Sequence, residues 1–151
     1  MPQHIRSALP RDEAAWRRMW SDFIQGGPEP CSADAPDAVW RGAMDASSPL
    51  RLLIAADDAD QPIGFLLYVT HPWSWSARDV AYLLDIYVEP SSRGRGLGSR
   101  LIEHLAGFGR KEGWLKIYWM TQADNEAAHR LYEKLAVRSA LVRYDLMLNP
   151  Y

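Results

Sequence analysis

Apolar residues along this chain change period several times, and each change marks a different element. Between Glu13 and Gln25, Ala15, Met19 and Phe23 recur every fourth position with Trp20 beside them, which predicts an amphipathic first helix. Asp12 stands where an N-cap belongs. The short run His4 to Leu9 reads as an edge strand stopped by Pro10. Gly26 to Pro36 holds two glycines and three prolines and predicts a loop, followed by a short second helix over Asp37 to Ala46 with Val39, Trp40 and Met44 on its apolar side. Leu50 to Ala56 and Ile63 to Thr70 are β-rich runs separated by the turn-forming Asp57-Asp58-Ala59-Asp60-Gln61-Pro62, an antiparallel hairpin. The link His71 to Asp79 carries Trp73 and Trp75 into a fourth strand, Val80 to Val88.

That strand ends at Glu89-Pro90, and a turn with glycines at 94, 96 and 98 leads straight into a second amphipathic run. Leu97, Leu101, Leu105 and Phe108 define its predicted buried face, with Arg100, Glu103, Arg110 and Lys111 elsewhere and Gly113 as the stop. Leu115 to Thr121 is a predicted fifth strand. Because a helix separates it from the fourth, the two are expected to be parallel, joined by a right-handed crossover. Asp124 or Asn125 caps a further helix bearing Ala128, Leu131, Tyr132 and Leu135, and Ala140 to Leu148 alternates as a final strand. The pattern predicts an α/β (α+β) fold in a single domain over 1–151: a mixed, mostly antiparallel sheet of six to seven strands, a parallel pair at strands four and five, and about four helices.

With 151 residues, 48% of them hydrophobic, the chain can bury a substantial core. The formal net charge of −2 argues against a nucleic-acid surface held by bulk attraction and gives no reason to expect an anionic membrane as partner. Cys31 is the sole cysteine, so no intramolecular disulfide forms, and no Cys/His spacing suggests a metal. It lies in a Gly/Pro-rich loop with no basic neighbour to activate it and reads as a bystander. The N-terminal MPQHIRSALPRDE has no apolar run behind its charges, so the expectation is a soluble, cytoplasmic protein.

The chemistry centres on Leu83 to Leu105, a strand, glycine-rich turn and helix in immediate succession. Glycines let backbone N–H groups approach a ligand closely, and the first turn of a helix leaves such groups unpaired beside a partial positive charge. A phosphate is the natural guest. Gly98-Ser99-Arg100 lacks the lysine and the magnesium-binding hydroxyl placement of a P-loop. Glycines at every second position also differ from the dinucleotide fingerprint, and the turn follows an antiparallel meander rather than opening the chain.

Arg93-Gly94-Arg95-Gly96-Leu97-Gly98, behind the strand Leu84-Asp85-Ile86-Tyr87-Val88-Glu89-Pro90, resembles the pyrophosphate loop of the GCN5-related N-acetyltransferase family. Asn125-Glu126-Ala127-Ala128-His129-Arg130-Leu131-Tyr132 is similar to that family's Asn-x-x-Ala-x-x-x-Tyr helix. The resemblance implies acetyl-CoA as co-substrate, with no metal, and a splayed pair of strands four and five. In that splay Ile86, Tyr87 and Val88 would pair with the pantetheine arm, the Val88 N–H facing the thioester oxygen. The pyrophosphate would lie on Arg93, Gly94, Arg95, Gly96, Leu97, Gly98 and Ser99, with Asn125 and Ala128 also beside the cofactor. Tyr132 would be the general acid that protonates the departing thiolate, since a phenol near pKa ~10 keeps its proton at neutral pH.

A protonated alkylamine must also lose a proton, and Asp85 is the candidate for that side of the reaction. In the polyamine acetyltransferase branch, to which the stretch Leu84 to Tyr132 is nearest in motif, a Glu-Asp pair occupies this strand, whereas here Leu84 takes the first position. The helix end departs as well, reading Leu135-Ala136-Val137 in place of the family's Leu-Gly-Phe. Trp73, Trp75, Tyr82 and Trp119, with Trp20, are candidates for the acceptor wall, where aromatic faces hold a cation or an alkyl chain. The implied activity is acetylation of a small amine such as an amino acid, polyamine or aminoglycoside-like compound. A protein lysine or N-terminus as acceptor, and an acyl-CoA-binding module without catalysis, are the alternatives. The resemblance further implies a homodimer, with Ala140 to Leu148 as a candidate interface.

Overall fold

The structure, a computed structural model, describes residues 3–151. Its elements run β1 (His4–Ser7), α1 (Glu13–Gln25), α2 (Ala35–Met44), β2 (Arg51–Ala56), β3 (Pro62–His71), β4 (Val80–Val88), α3 (Leu97–Glu112), β5 (Ile117–Tyr118) and α4 (Glu126–Tyr132). The five strands form one sheet in the order β1-β2-β3-β4-β5. The first four are successively antiparallel, and β5 is parallel to β4. The β2–β3 turn is held by Asp57, whose carboxylate accepts the N–H groups of Ala59 and Gln61 (2.9 Å each), while Asp60 takes a left-handed φ of 59°.

Alternation along the strands divides the core in two. On one face α1 and α2 pack Trp16, Met19, Trp20 and Trp40 onto Leu52, Ile54, Phe65, Leu67 and Tyr87. On the other, α3 lays Leu97, Leu101, Ile102 and Leu105 onto Leu53, Leu66, Tyr68, Ala81 and Leu83. Between them β4 carries a bulge. Leu67 of β3 faces Asp85 and Tyr68 faces Leu83, leaving Leu84 without a partner. The bulge turns Leu84 toward the α1/α2 core and sets Asp85 opposite Leu67 of that same core.

Several sequence expectations change in the folded chain. The buried side of α3 includes Ile102 and Gly109 but not Phe108, which lies exposed with its ring edge-on to Trp114. Asp12 precedes α1 but makes no side-chain cap to it. Its carboxylate, 1% exposed, instead accepts from the Arg6 guanidinium (2.7 and 3.0 Å) and from Leu9 N–H (2.7 Å). Asp60 joins this cluster, accepting from Arg6 Nε at 2.9 Å, beside His4 Nε2 at 2.8 Å and Arg11, so that β1, the turn leading into α1 and the β2–β3 turn are tied together.

The predicted fifth strand, Leu115 to Thr121, shortens to two residues because its neighbour diverges: only Ala81 with Ile117 and Tyr82 with Tyr118 are paired. Ala140 to Leu148 is not a strand, so the sheet has five strands rather than six or seven. Those residues alternate well in sequence, but among the described residues no strand lies alongside to accept their hydrogen bonds. Val137, Leu141, Val142, Tyr144, Leu146 and Leu148 therefore stand exposed. No helix of the described residues is long and apolar enough to cross a membrane.

Candidate active site

The glycine turn takes the form its sequence requires. Gly94 and Gly96 lie at φ of 77° and 73°, in the left-handed region, and a side chain added at either would meet nothing within 4 Å. The turn therefore leaves open space around both positions. Arg100 N–H is bonded to Gly96 O (3.0 Å), so the N–H groups of Leu97, Gly98 and Ser99 in the first turn of α3 have no carbonyl four residues back within the helix. Alternating glycines with outward N–H groups at a helix start make an anion-binding concavity. The two loop arginines differ. Arg93 turns back, donating from Nε to Val88 O (2.8 Å) with its guanidinium 5.5 Å from the Tyr87 ring centre, while Arg95 is exposed to solvent.

From this turn β4 runs back to the point where it parts from β5. Ile86, Tyr87 and Val88 pair with Leu66, Phe65 and Gly64 of β3. Past Tyr82, no β5 residue is paired with the other edge of β4. On the α3 side of the sheet lies α4, capped as expected by Asn125, whose side chain accepts from Ala128 N–H at 3.2 Å. Tyr132 ends this helix with its ring edge-on to Trp119 (5.4 Å between centroids), and burial pushes its phenol above the ordinary tyrosine value, so it stays protonated at neutral pH. Leu131 of α4 lies 3.5 Å from the Cβ position of Gly98, locking α4 to the start of α3.

Asp85 lies on the α1/α2 side. Burial pushes its carboxyl up to about 6, with no hydrogen bond or charge among the described residues pulling it back. Tyr82 projects on the same side, since its partner Val69 and the Asp85 partner Leu67 are alternate residues of β3. Trp73 belongs to this wall too, but the Lys116 ammonium lies 4.0 Å from the centre of its ring and covers one face. Trp75 is 89% exposed and touches the wall only through Trp73. Two of the candidate residues lie elsewhere. Trp119 packs with Tyr132 against the α3 core, on the face opposite Asp85, and Trp20 is on the Asp85 side but buried within the α1/α2 core.

The same wall holds groups that sequence reasoning missed. Tyr118 stacks on Tyr82 with centroids 4.8 Å apart and planes 5° from parallel, and its hydroxyl lies 2.7 Å from His71 Nε2. A parallel register for strands four and five would have pointed to Tyr118; nothing local marks His71. Arg143, from the C-terminal stretch, binds Glu29 of the α1–α2 loop (2.8 Å) and Asp145 (2.9 Å), and its charge reaches the Tyr82 phenol. Among the described residues no group of three or more potential metal ligands comes together, while the open turn and its free N–H groups fit a pyrophosphate.

Comparison with known proteins places this geometry. The model of the acetyltransferase (GNAT) family matches residues 14–136. The chain is 28% identical over 141 residues to the D-amino-acid N-acetyltransferase HPA3 of Saccharomyces cerevisiae, covering 93% of this chain and 88% of that one. It is 31% identical over 144 residues to the mycothiol acetyltransferase of Kocuria rhizophila, covering 89% of this chain but only 46% of the longer relative. Among solved structures, the ribosomal-protein-alanine N-acetyltransferase of Brucella melitensis superposes with a TM-score of 0.81 at 20% identity, over 97% of this chain and 100% of the other.

Proposed function

From its membership of the acetyltransferase (GNAT) family, to which this chain belongs, we propose that it moves an acetyl group from acetyl-CoA directly onto the primary amine of a small molecule. The observation that carries the reading is the open glycine turn at the end of a β4 edge without a strand beside it, with Tyr132 packed on the α3-side core and Asp85 on the α1/α2 side. N–H groups from Gly94 to Ser99 hold the pyrophosphate, and the free edge at Ile86, Tyr87 and Val88 pairs with the pantetheine amides. Val88 N–H polarises the thioester carbonyl, as main-chain donors do wherever negative charge develops on oxygen. Tyr132 protonates the departing thiolate, which its elevated pKa suits. Asp85 draws the ammonium to the opposite side and polarises its N–H bonds.

A small acceptor is favoured by the match, over 93% of this chain and 88% of the relative, to an enzyme named for D-amino acids. The test is release of free coenzyme A thiol from acetyl-CoA over a panel of amino acids, polyamines, aminoglycosides and lysine peptides. Turnover of small amines supports the reading, and turnover of peptides alone replaces it with protein acetylation. Cofactor binding without turnover would leave an acyl-CoA-binding module. We also propose that the chain works in the cytoplasm as a homodimer, in which the apolar residues exposed between Val137 and Leu148 are covered by the second copy. A monomeric mass by light scattering at micromolar concentration would exclude the dimer.

A further inference from the structure

The turn that follows β4 sends one arginine back onto the strand the chain has just left. Pro90 presets the backbone for a 3-10 turn at Pro90–Ser92, closed by Ser92 N–H on Glu89 O (2.9 Å) and Arg93 N–H on Pro90 O (3.3 Å). Ser92 is itself buried, which anchors the turn. Arg93 therefore reaches back to Val88, its Nε 2.8 Å from the carbonyl oxygen and its guanidinium against the Tyr87 ring.

That carbonyl belongs to the open edge of the sheet. Bonded and non-bonded pairs alternate along an antiparallel ladder. Glu89 N–H donates to Ile63 O at 2.9 Å, which makes that pair bonded and the adjacent pair, Gly64 with Val88, non-bonded. Both the N–H and the C=O of Val88 consequently point away from β3, toward the side from which β5 has diverged. They lie next to one another, and the partial negative charge of the oxygen opposes any oxyanion brought to the N–H. Arg93 removes that opposition, because a charged donor occupies the oxygen and leaves the N–H alone to face a ligand. Ile86, two residues back and roughly 7 Å away, turns an N–H and a C=O to the same edge by the same alternation. One side chain makes these otherwise equivalent positions different.

We propose that Arg93 is a positioning residue of acetyl transfer, on the premise of the acetyltransfer reading above, and that it acts through the Val88 carbonyl rather than on the pyrophosphate. By holding that carbonyl it makes Val88 a donor only, and so fixes where the thioester oxygen settles. The oxygen is received at Val88 and not one repeat back at Ile86, whose carbonyl stays open to a pantetheine amide. The guanidinium charge offsets the carbonyl's as negative charge develops at the Val88 N–H. The pyrophosphate is left to the N–H groups of the glycine turn.

The test compares wild type with Arg93→Met, with thermal midpoint as the check of folding and with two donors: acetyl-CoA, and S-acetyl-pantetheine, which has the arm but no phosphate. Methionine keeps an extended side chain and removes both the charge and the donor. With the fastest amine of the panel above, the single-turnover rate of acetyl transfer is expected to fall about tenfold for both donors, the lower end for a charge-assisted hydrogen bond. Calorimetric affinity for coenzyme A should stay within about threefold. Independently of turnover, the infrared carbonyl stretch of isotope-labelled acetyl-CoA bound without an amine should move in the variant toward its value in free solution. A fall in coenzyme A affinity of about tenfold or more, with the phosphate-free donor unaffected, would make Arg93 a pyrophosphate ligand and overturn the proposal. An unchanged transfer rate or an unchanged carbonyl stretch would also overturn it, while acetyltransfer stands. A wild type that turns over neither donor with any amine would overturn both.

Discussion

Replacing Asp85 with asparagine should make the protein more stable and less active, and the two effects should separate with pH. In the unfolded chain the carboxyl titrates near the usual ~3.9. In the folded chain, burial pushes it to about 6. A folded-state value above the unfolded one means that folding favours the protonated form. The group therefore costs nothing below about pH 4, costs progressively more between pH 4 and 6, and carries its full penalty above that range. The gap corresponds to about 3 kcal/mol, and because Asp85 keeps some contact with solvent we discount this to about 1–3 kcal/mol.

Asparagine has nearly the same shape and no charge, so Asp85→Asn should raise the melting temperature at pH 8 by about 2–10 °C for a domain of this size, and by nothing at pH 4. Urea denaturation or scanning calorimetry from pH 4 to pH 9 measures the difference. At pH 8 the acetylation rate of an alkylamine should fall about 10²-fold. A variant no more stable than wild type at pH 8, or a stability difference that does not change with pH, would refute the reading of Asp85 as a carboxylate held at a cost for function.

Tyr132→Phe should lower kcat about 10²-fold while leaving acetyl-CoA affinity within about threefold by calorimetry, and unchanged turnover would remove Tyr132 from the acid role. Gly96→Ala forces a Cβ onto a φ of 73°, costing about 1–2 kcal/mol in the free protein. If the turn cradles pyrophosphate, acetyl-CoA affinity falls by a further factor of ten or more; a loss of stability alone would reduce the turn to a connection. Asp12→Ala removes the buried partner of Arg6 and should destabilise by about 3 kcal/mol, read as a urea midpoint. In the wild type, burial alone would raise the Asp12 carboxyl, but the Arg6 and Leu9 hydrogen bonds outweigh it and the value is lowered. This contribution is therefore present above the unfolded value of ~3.9 and is lost as pH falls through the folded one, so Asp12→Ala should flatten the acid limb of the stability profile.

What was legible in the sequence was local. The bounds of α1 and the glycine turn before α3 follow from neighbours a few residues apart, and the Asn125 cap is the same kind of signal, so periodicity and turn chemistry sufficed. The β4 bulge was not legible, because Leu84 is left over only when the β3 register is fixed, yet the bulge decides which way Asp85 faces. Asp12 fitted a cap by position, but Arg6 and Leu9 claim its carboxylate once β1 folds against α1. Trp119 carried the right chemistry for a cation wall but lies on the opposite face from Tyr118, a distinction that alternation gives only when the strand is placed. His71 and Tyr118 are 47 residues apart and meet only because β3 and β5 flank the same strand. The run Ala140 to Leu148 shows the converse, since alternation makes a strand only where a neighbour accepts its hydrogen bonds.

The two rungs that join β5 to β4 make a seam. On one side lie β1 to β4, laced by long antiparallel ladders; on the other lie β5 and α4, a helix without a fully buried residue. The seam is closed by Ala81 N–H on Lys116 O at 3.0 Å and Leu115 N–H on Asp79 O at 2.8 Å. Its amide protons should exchange with solvent by local opening, while those of the β2–β3–β4 ladders wait for global unfolding. A ligand whose own amides bridge the gap would serve as the missing strand. Loading the cleft would then slow exchange on both banks at once, turning two cooperative units into one.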